Sequence, residues 1–239
     1  MKLTIFALIL LSAIASTNAA NMITIQNLTD RMNYYKKNPK KLAAYIKKQY
    51  LGAGNMNCST GIHARWRLRF CEKCTAINAA ISRLNKQAVT PPLMIDEGLT
   101  KTAKEHSDYQ IKINKMTHTG GSGRRTLGDR IKLNNKFASW IGENVIDSVK
   151  AYSPNADMII AQWAIDDCVP SRGHYNNMFA SKFNTWGVGI TPWSSGTKNR
   201  VTTFFAATSS CCTKCPFSAS ARKSFYWSGI RSSSCAKKC

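Results

Sequence analysis

The first nineteen residues decide what chemistry the rest of the chain can use. Lys2 is the only charge in the opening stretch, and Leu3 to Ala15 is almost wholly apolar, centred on Ile5, Phe6, Leu8, Ile9, Leu10 and Leu11. Such a run is too short for a bilayer, which takes about 20 apolar residues. It ends at Thr17-Asn18-Ala19, a small-x-small pattern before Ala20. A short apolar core closed by small residues reads as a secretory signal peptide. Residues 1–19 are therefore expected to be removed, and the mature chain to be secreted and extracellular. No second apolar run of membrane length follows.

Secretion fixes the reading of nine cysteines: Cys58, Cys71, Cys74, Cys168, Cys211, Cys212, Cys215, Cys235 and Cys239. In an oxidising compartment they pair. Nine is odd, so one stays free or pairs between chains. Cys71-Glu-Lys-Cys74 and Cys212-Thr-Lys-Cys215 have the spacing of zinc half-sites, but the long separation and the secretory route favour disulfides. Compartment also narrows the charge. There are 34 Lys+Arg against 12 Asp+Glu, a net +22 that becomes 22 − 1 = +21 when Lys2 leaves. Secretion separates the chain from nucleic acid, so the excess points to an anionic glycan or membrane surface. Asn27-Leu-Thr29 and Asn57-Cys-Ser59 are glycosylation sequons.

Helical spacing dominates the first two thirds. Leu28, Met32 and Tyr35, then Leu42, Tyr45, Ile46 and Tyr50, form an apolar stripe, with Pro39 in the first turn of a second helix. The opposite face is assigned Lys36, Lys37, Lys40, Lys41, Lys47 and Lys48. Residues 51–70 read as a loop closed by Cys58. Helices are expected over Ala76–Leu84, Asp96–Met116 and Ala156–Asp167, the last burying Ile159, Ile160 and Trp163. Gly142-Glu-Asn144 is placed after a turn. Strand composition comes late, in Trp186–Ile190 and Arg200–Thr208, with turn residues between them that predict a β-hairpin. After Cys215 the chain is Ser-rich and basic, with Phe225-Tyr-Trp227 as its only apolar cluster. The expected division is a signal peptide (1–19), one domain (20–210) and a short basic extension (211–239).

Four polar residues stand out near element ends: His118 in Met-Thr-His-Thr-Gly, Glu143 in Ile-Gly-Glu-Asn, Asp166 beside Asp167, and His174 in Ser-Arg-Gly-His-Tyr-Asn-Asn. Two imidazoles and two carboxylates can bind a divalent metal or perform acid–base work. Thr119-Gly-Gly-Ser-Gly123 lacks the spacing of a nucleotide-binding loop, and no HExxH or GxSxG is present.

The string Pro92-Leu93, Leu99, Ala103, His106, His118-Thr-Gly, Arg130-Ile131, Gly142-Glu-Asn144-Val145, Ile165-Asp-Asp167, Pro170-Ser-Arg-Gly-His-Tyr-Asn-Asn-Met178 and Gly187-Val-Gly-Ile190 resembles the CAP superfamily. That family comprises the cysteine-rich secretory, antigen 5 and pathogenesis-related 1 proteins and is also called SCP/TAPS. The likeness is to its microbial and protist-type branch, where a glycine is usual at Cys168 and an arginine at Tyr175. It implies an α+β fold, a three-layer α–β–α sandwich with a small antiparallel sheet. It implies that Cys168 has a disulfide partner. It also implies a cleft formed by His118, Glu143, Asp166 and His174, in which His118 and His174 can hold Zn2+ or another divalent ion. The family's theme is extracellular binding of lipid, sterol or receptor, which sets a secreted binding or effector module first. A metal-dependent or acid–base hydrolase, with Glu143 as base, is the alternative.

Overall fold

Thr24 starts the first helix. Its hydroxyl accepts the Asn27 amide at 3.1 Å, and Asn27 Oδ1 accepts the Thr24 amide at 2.9 Å. This reciprocal cap satisfies two of the four N–H groups that a helix start leaves free. Helix α1 (Ile25–Lys37) stops at Asn38, and Pro39 opens α2 (Pro39–Ile46), which continues as one π-helical turn over Lys47–Leu51. The expected stripe is buried at Leu28, Met32, Tyr35, Leu42, Ile46 and Tyr50. Lys36 departs from the expected basic face: it is fully buried, and its Nζ donates to the Met178 carbonyl at 2.7 Å. Its spacing explains this, since 28, 32 and 36 are successive four-residue steps along the buried stripe. Lys37, Lys40, Lys41, Lys47 and Lys48 are exposed, as expected.

The computed structural model describes residues 23–135, 138–149, 155–196 and 198–208. The signal-peptide reading of 1–19 and the reading of 211–239, including the Cys212–Cys215 pair, lie outside these residues. Within them, Cys58 bonds Cys74 and Cys71 bonds Cys168. The two cysteines of Cys71-Glu-Lys-Cys74 thus go to different partners, and Cys168 has the partner expected of it. The first bond closes the 51–70 segment onto α3 (Cys74–Lys86). That segment contains a short hairpin, β1 (Met56–Asn57) with β2 (Ile62–His63). Trp66 stacks on buried His63 at 4.1 Å, and both His63 ring nitrogens are hydrogen-bonded, to Gln49 and Trp66. His63 is structural.

The rest builds the sheet: β3 (Met94–Ile95), α4 (Glu97–Lys112), α5 (Leu127–Asn134), β4 (Ala138–Val149), α6 (Ala156–Ile165), α7 (Gly173–Phe179), β5 (Thr185–Pro192) and β6 (Lys198–Thr208). The strand order is β3-β5-β6-β4, with β3 parallel to β5 and the other pairs antiparallel. The β5–β6 hairpin is the expected one. Helix α4 ends four residues before Met116, and Ile113 and Met116 are exposed. β4 was not expected as a strand. Gly142–Asn144 lies in its middle, with Glu143 opposite Phe204, so Glu143 is not at an element end.

The central strand β6 is buried on both faces. Val201 and Phe205 join Trp186 and Val188 in the large core shared with α1, α2, α3, α6 and α7. Phe204 and Ala206 face Leu99, Ala103 and Ile131 of α4 and α5. The result is the α–β–α sandwich that the resemblance implies. Gly187 and Gly189 let α4 lie directly on β5, because a Cβ at either would run into the helix backbone at Leu99–Thr100 or Ala103–Lys104.

Candidate functional site

Glu143 is carried by an edge strand, yet its side chain is only 3% exposed. A buried carboxylate needs compensation, and three side chains surround it. Arg130 Nη2 donates to Oε2 at 2.7 Å, His106 Nε2 lies 3.1 Å from Oε1, and His118 Nδ1 lies 3.4 Å from Oε2. Burial alone would raise the Glu143 pKa. The contacts to His106 and His118 and the charge of Arg130 reverse that and hold it below the ordinary carboxylate range. Conversely, Glu143 raises the pKa of His118 against the opposing effect of burial.

His118 is placed from below by α4. His106 Nε2 donates to the Thr117 carbonyl at 2.9 Å, and Gln110 Oε1 accepts the Thr117 amide at 3.1 Å. The peptide before His118 is therefore gripped on both sides, while the His118 side chain stays 64% exposed.

The second pair is built at the end of α6. Asp166 adopts the left-handed conformation (φ 55°, ψ 46°) and caps the helix, whose last residue, Ile165, is two short of the expected end at Asp167. Its carboxylate is fully buried and accepts the His174 amide at 2.9 Å, the Tyr175 amide at 3.3 Å and His174 Nδ1 at 2.6 Å. Cys168 and Arg172 also have positive φ, which costs a non-glycine residue free energy and persists only where surroundings impose it. Those surroundings are identifiable. Cys168 is bonded to Cys71, the Asp167 carboxylate accepts the Cys71 and Glu72 amides, and Arg172 forms a two-pronged pair with Glu72.

The two pairs face each other. The His118 and His174 ring centroids are 6.5 Å apart. With each Nδ1 turned toward a carboxylate, each Nε2 is left for a ligand. All four expected residues are thus brought into one constellation. Arg130, His106 and Gln110, which support it, carry no local signal of that role; the contacts are made only on folding. Gly142 and Asn144 also find their reason here. A Cβ on Gly142 would come within 2.6 Å of the Asn177 side chain, which donates to the Glu143 carbonyl and to Asn144 Oδ1. Asn144 in turn donates to the His174 carbonyl at 3.2 Å. These three bonds tie β4 to α7 and fix Glu143 relative to His174.

Beside His174 lies a pocket of about 200 Å3 with a mixed lining, apolar at Leu68, Phe70, Val145 and Trp163 and polar at Arg69, Gln162, Asp166 and Asp167. Elsewhere, Cys71, Asp167 and Cys168 place three donor atoms within 4.8 Å of one another, but the two sulfurs are bonded to each other and offer no thiolate.

The model of the CAP family, the cysteine-rich secretory protein family, matches residues 60–208, a span that contains His118, Glu143, Asp166 and His174. This chain belongs to the CAP family. Solved structures with a similar fold include an extracellular protein containing a SCP domain from Bacillus anthracis str. Ames, at 23% identity and a TM-score of 0.41 over 55% of this chain and 38% of that one. The match therefore spans well under half of the Bacillus protein. An outer surface protein from Borrelia burgdorferi matches at 18% identity and a TM-score of 0.41, over 56% of this chain and 90% of that one. Venom allergen-like protein 4 of Schistosoma mansoni matches at 12% identity and a TM-score of 0.36, over 79% and 92%. No curated protein matches the chain. Membership makes this an extracellular-type CAP domain, in keeping with its disulfides. Among the described residues no helix is long and apolar enough to cross a membrane.

Proposed function

We propose that the chain is a secreted CAP binding module in which His118 and His174 hold a divalent metal through Nε2, beside a pocket that takes the apolar part of a lipid-like ligand. The observation that carries this reading is the arrangement of each histidine: His174 Nδ1 lies 2.6 Å from Asp166, and His118 Nδ1 lies 3.4 Å from Glu143. A metal-bound histidine commonly gives its other ring nitrogen to a carboxylate, which fixes the tautomer and strengthens the ligand. The donor set fits Zn2+, which accepts imidazole and leaves positions for water. Two imidazoles on one tetrahedral ion sit with centroids roughly 5 Å apart, so the exposed His118 ring closes by about an ångström on binding. The metal would supply Lewis acidity toward a ligand oxygen. The chain's own residues orient the rings, and the apolar side of the 200 Å3 pocket beside His174, at Leu68, Phe70, Val145 and Trp163, would take carbon.

Binding is preferred to hydrolysis on the state of Glu143. Its carboxyl is held below the ordinary range and its Oε2 accepts from Arg130, which makes it a weak base. Calorimetry of the mature protein with Zn2+ tests the reading. Binding near one ion per chain is expected, with loss in His118→Ala and in His174→Ala. Unchanged binding in the double variant overturns it.

A further inference from the structure

Between Asp30 and Glu72 the chain carries ten Lys and Arg and no Asp or Glu. Lys36 is buried, and Arg31 pairs with Asp157. The other eight are exposed. No ion pair among the described residues engages any of them. The positive excess of the chain is therefore not spread evenly; part of it is gathered where no acid of the same segment can neutralise it.

The fold gives these charges one face. Lys40, Lys41, Lys47 and Lys48 lie on the same side of α2 and the turn that continues it. At 3.6 residues per turn they cover roughly a third of the circumference, around the exposed Ala44. Lys40 and Lys48 are separated by roughly 12 Å along the axis. The 51–70 segment brings Arg65 and Arg67 to them. These two flank the buried Trp66, whose ring packs edge-on against Tyr50 with centroids 5.0 Å apart. One residue before Tyr50, the Gln49 carbonyl lies 3.0 Å from His63 Nε2. The arginine segment is thus fixed against the residues that follow Lys47 and Lys48. Burial raises the Tyr45 pKa, and the charge of Arg65 is among the influences that oppose the rise. Arg65 therefore stands on the Tyr45 side of α2, where Lys41 and Lys48 are the helical neighbours of Tyr45.

We propose that this face binds a linear sulfated polysaccharide, whose sulfates pair with the ammonium groups of Lys40, Lys41, Lys47 and Lys48 and the guanidinium groups of Arg65 and Arg67. Charges of one sign held together repel and draw anions from solution. A small anion meets only one or two of these groups. A polyanionic chain laid along α2 and onto the arginine segment meets all of them. Guanidinium also offers a fork of donors that suits an oxyanion. A membrane fits less well. Surface attachment to lipid gains from apolar side chains that enter the bilayer, and of the exposed large apolar residues only Tyr34 and Ile62 fall within this segment. The lysine face itself carries Ala44. Anionic lipid is moreover a feature of the cytoplasmic leaflet, which an extracellular-type domain does not face. The surface stands on its own geometry and does not depend on metal at His118 and His174.

The test is calorimetric titration of the disulfide-intact mature protein, without metal, with a heparin dodecasaccharide at about 0.15 M NaCl, beside vesicles of phosphatidylserine and phosphatidylcholine. Saturable binding of the oligosaccharide is expected, weakening steeply as salt is added. Lys40→Glu with Lys47→Glu, and separately Arg65→Gln with Arg67→Gln, should each weaken it about tenfold or more. All four positions are exposed, so the fold should survive. Lys101→Glu with Lys112→Glu is the control. It removes as much net charge as the first pair, from exposed positions of α4 on the other face of the sheet, and should change affinity by no more than about twofold. An equal loss in the control pair would mean that net charge alone binds the glycan. Unchanged affinity in both test pairs would place binding elsewhere, as on the basic 211–239 extension. Tighter binding to the vesicles than to the oligosaccharide would make the partner a membrane. Each of these results overturns the proposal.

Discussion

Replacing Lys36 by methionine should stabilise the protein at neutral pH, although it deletes a hydrogen bond. The ammonium is fully buried, its hydrogen bond goes to the neutral carbonyl of Met178, and burial pushes its pKa from 10.5 down to about 8. A fall of that size, at 1.36 kcal/mol per unit, corresponds to about 3 kcal/mol of folding free energy lost whenever the lysine must be charged in the fold. Methionine has a similar length and no charge. Its cost is the lost bond to the Met178 carbonyl, about 1 kcal/mol. The net gain at pH 7 is therefore about 2 kcal/mol. The sign with pH follows from linkage. Between about 8 and 10.5 the unfolded chain binds the proton and the folded chain does not, so wild-type stability rises with pH across that window. The variant lacks this rise. Guanidinium unfolding of both proteins from pH 7 to 10.5 should show the advantage of Lys36→Met shrinking and then reversing. A variant less stable than wild type at pH 7, or a difference that stays flat across the window, would mean that the buried ammonium does not destabilise the fold.

Two glycines give further tests. Gly189→Ala drives a methyl into the α4 backbone at Ala103 and should cost roughly 3 kcal/mol, read as a lowered thermal midpoint; near-wild-type melting contradicts the close contact. Gly142→Ala displaces the Asn177 carboxamide and its bonds to Glu143 and Asn144. A loss of roughly 1–3 kcal/mol is expected, measured by guanidinium unfolding, and unchanged stability would mean that Asn177 does not tie β4 to α7.

Much of the fold is readable from spacing alone. The apolar steps of α1 and α2, the α6 core and the β5–β6 hairpin all follow from periodicity. The failures have physical causes. β4 was missed because it is an edge strand interrupted by Gly142, Glu143 and Asn144, whose composition reads as loop; pairing with β6 overrides it. α4 was extended too far because Ile113 and Met116 keep the apolar rhythm, whereas the chain turns where Gln110 and His106 grip Thr117. Lys36 was placed by charge when its four-residue step from Met32 put it inside. Short motifs and the family resemblance singled out His118, Glu143, Asp166 and His174, which the fold brings together. Arg130 and His106 become partners of Glu143 only through tertiary contact, which no local pattern encodes.

In the proposed metal site His118 and His174 share one ion through Nε2 while their Nδ1 atoms remain on Glu143 and Asp166. Zinc-edge X-ray absorption of the mature, disulfide-intact protein loaded with one equivalent of Zn2+ tests it directly. Two imidazole nitrogens are expected at about 2.0–2.1 Å, with oxygen completing the shell. A shell containing sulfur, or one without two imidazoles, would contradict it.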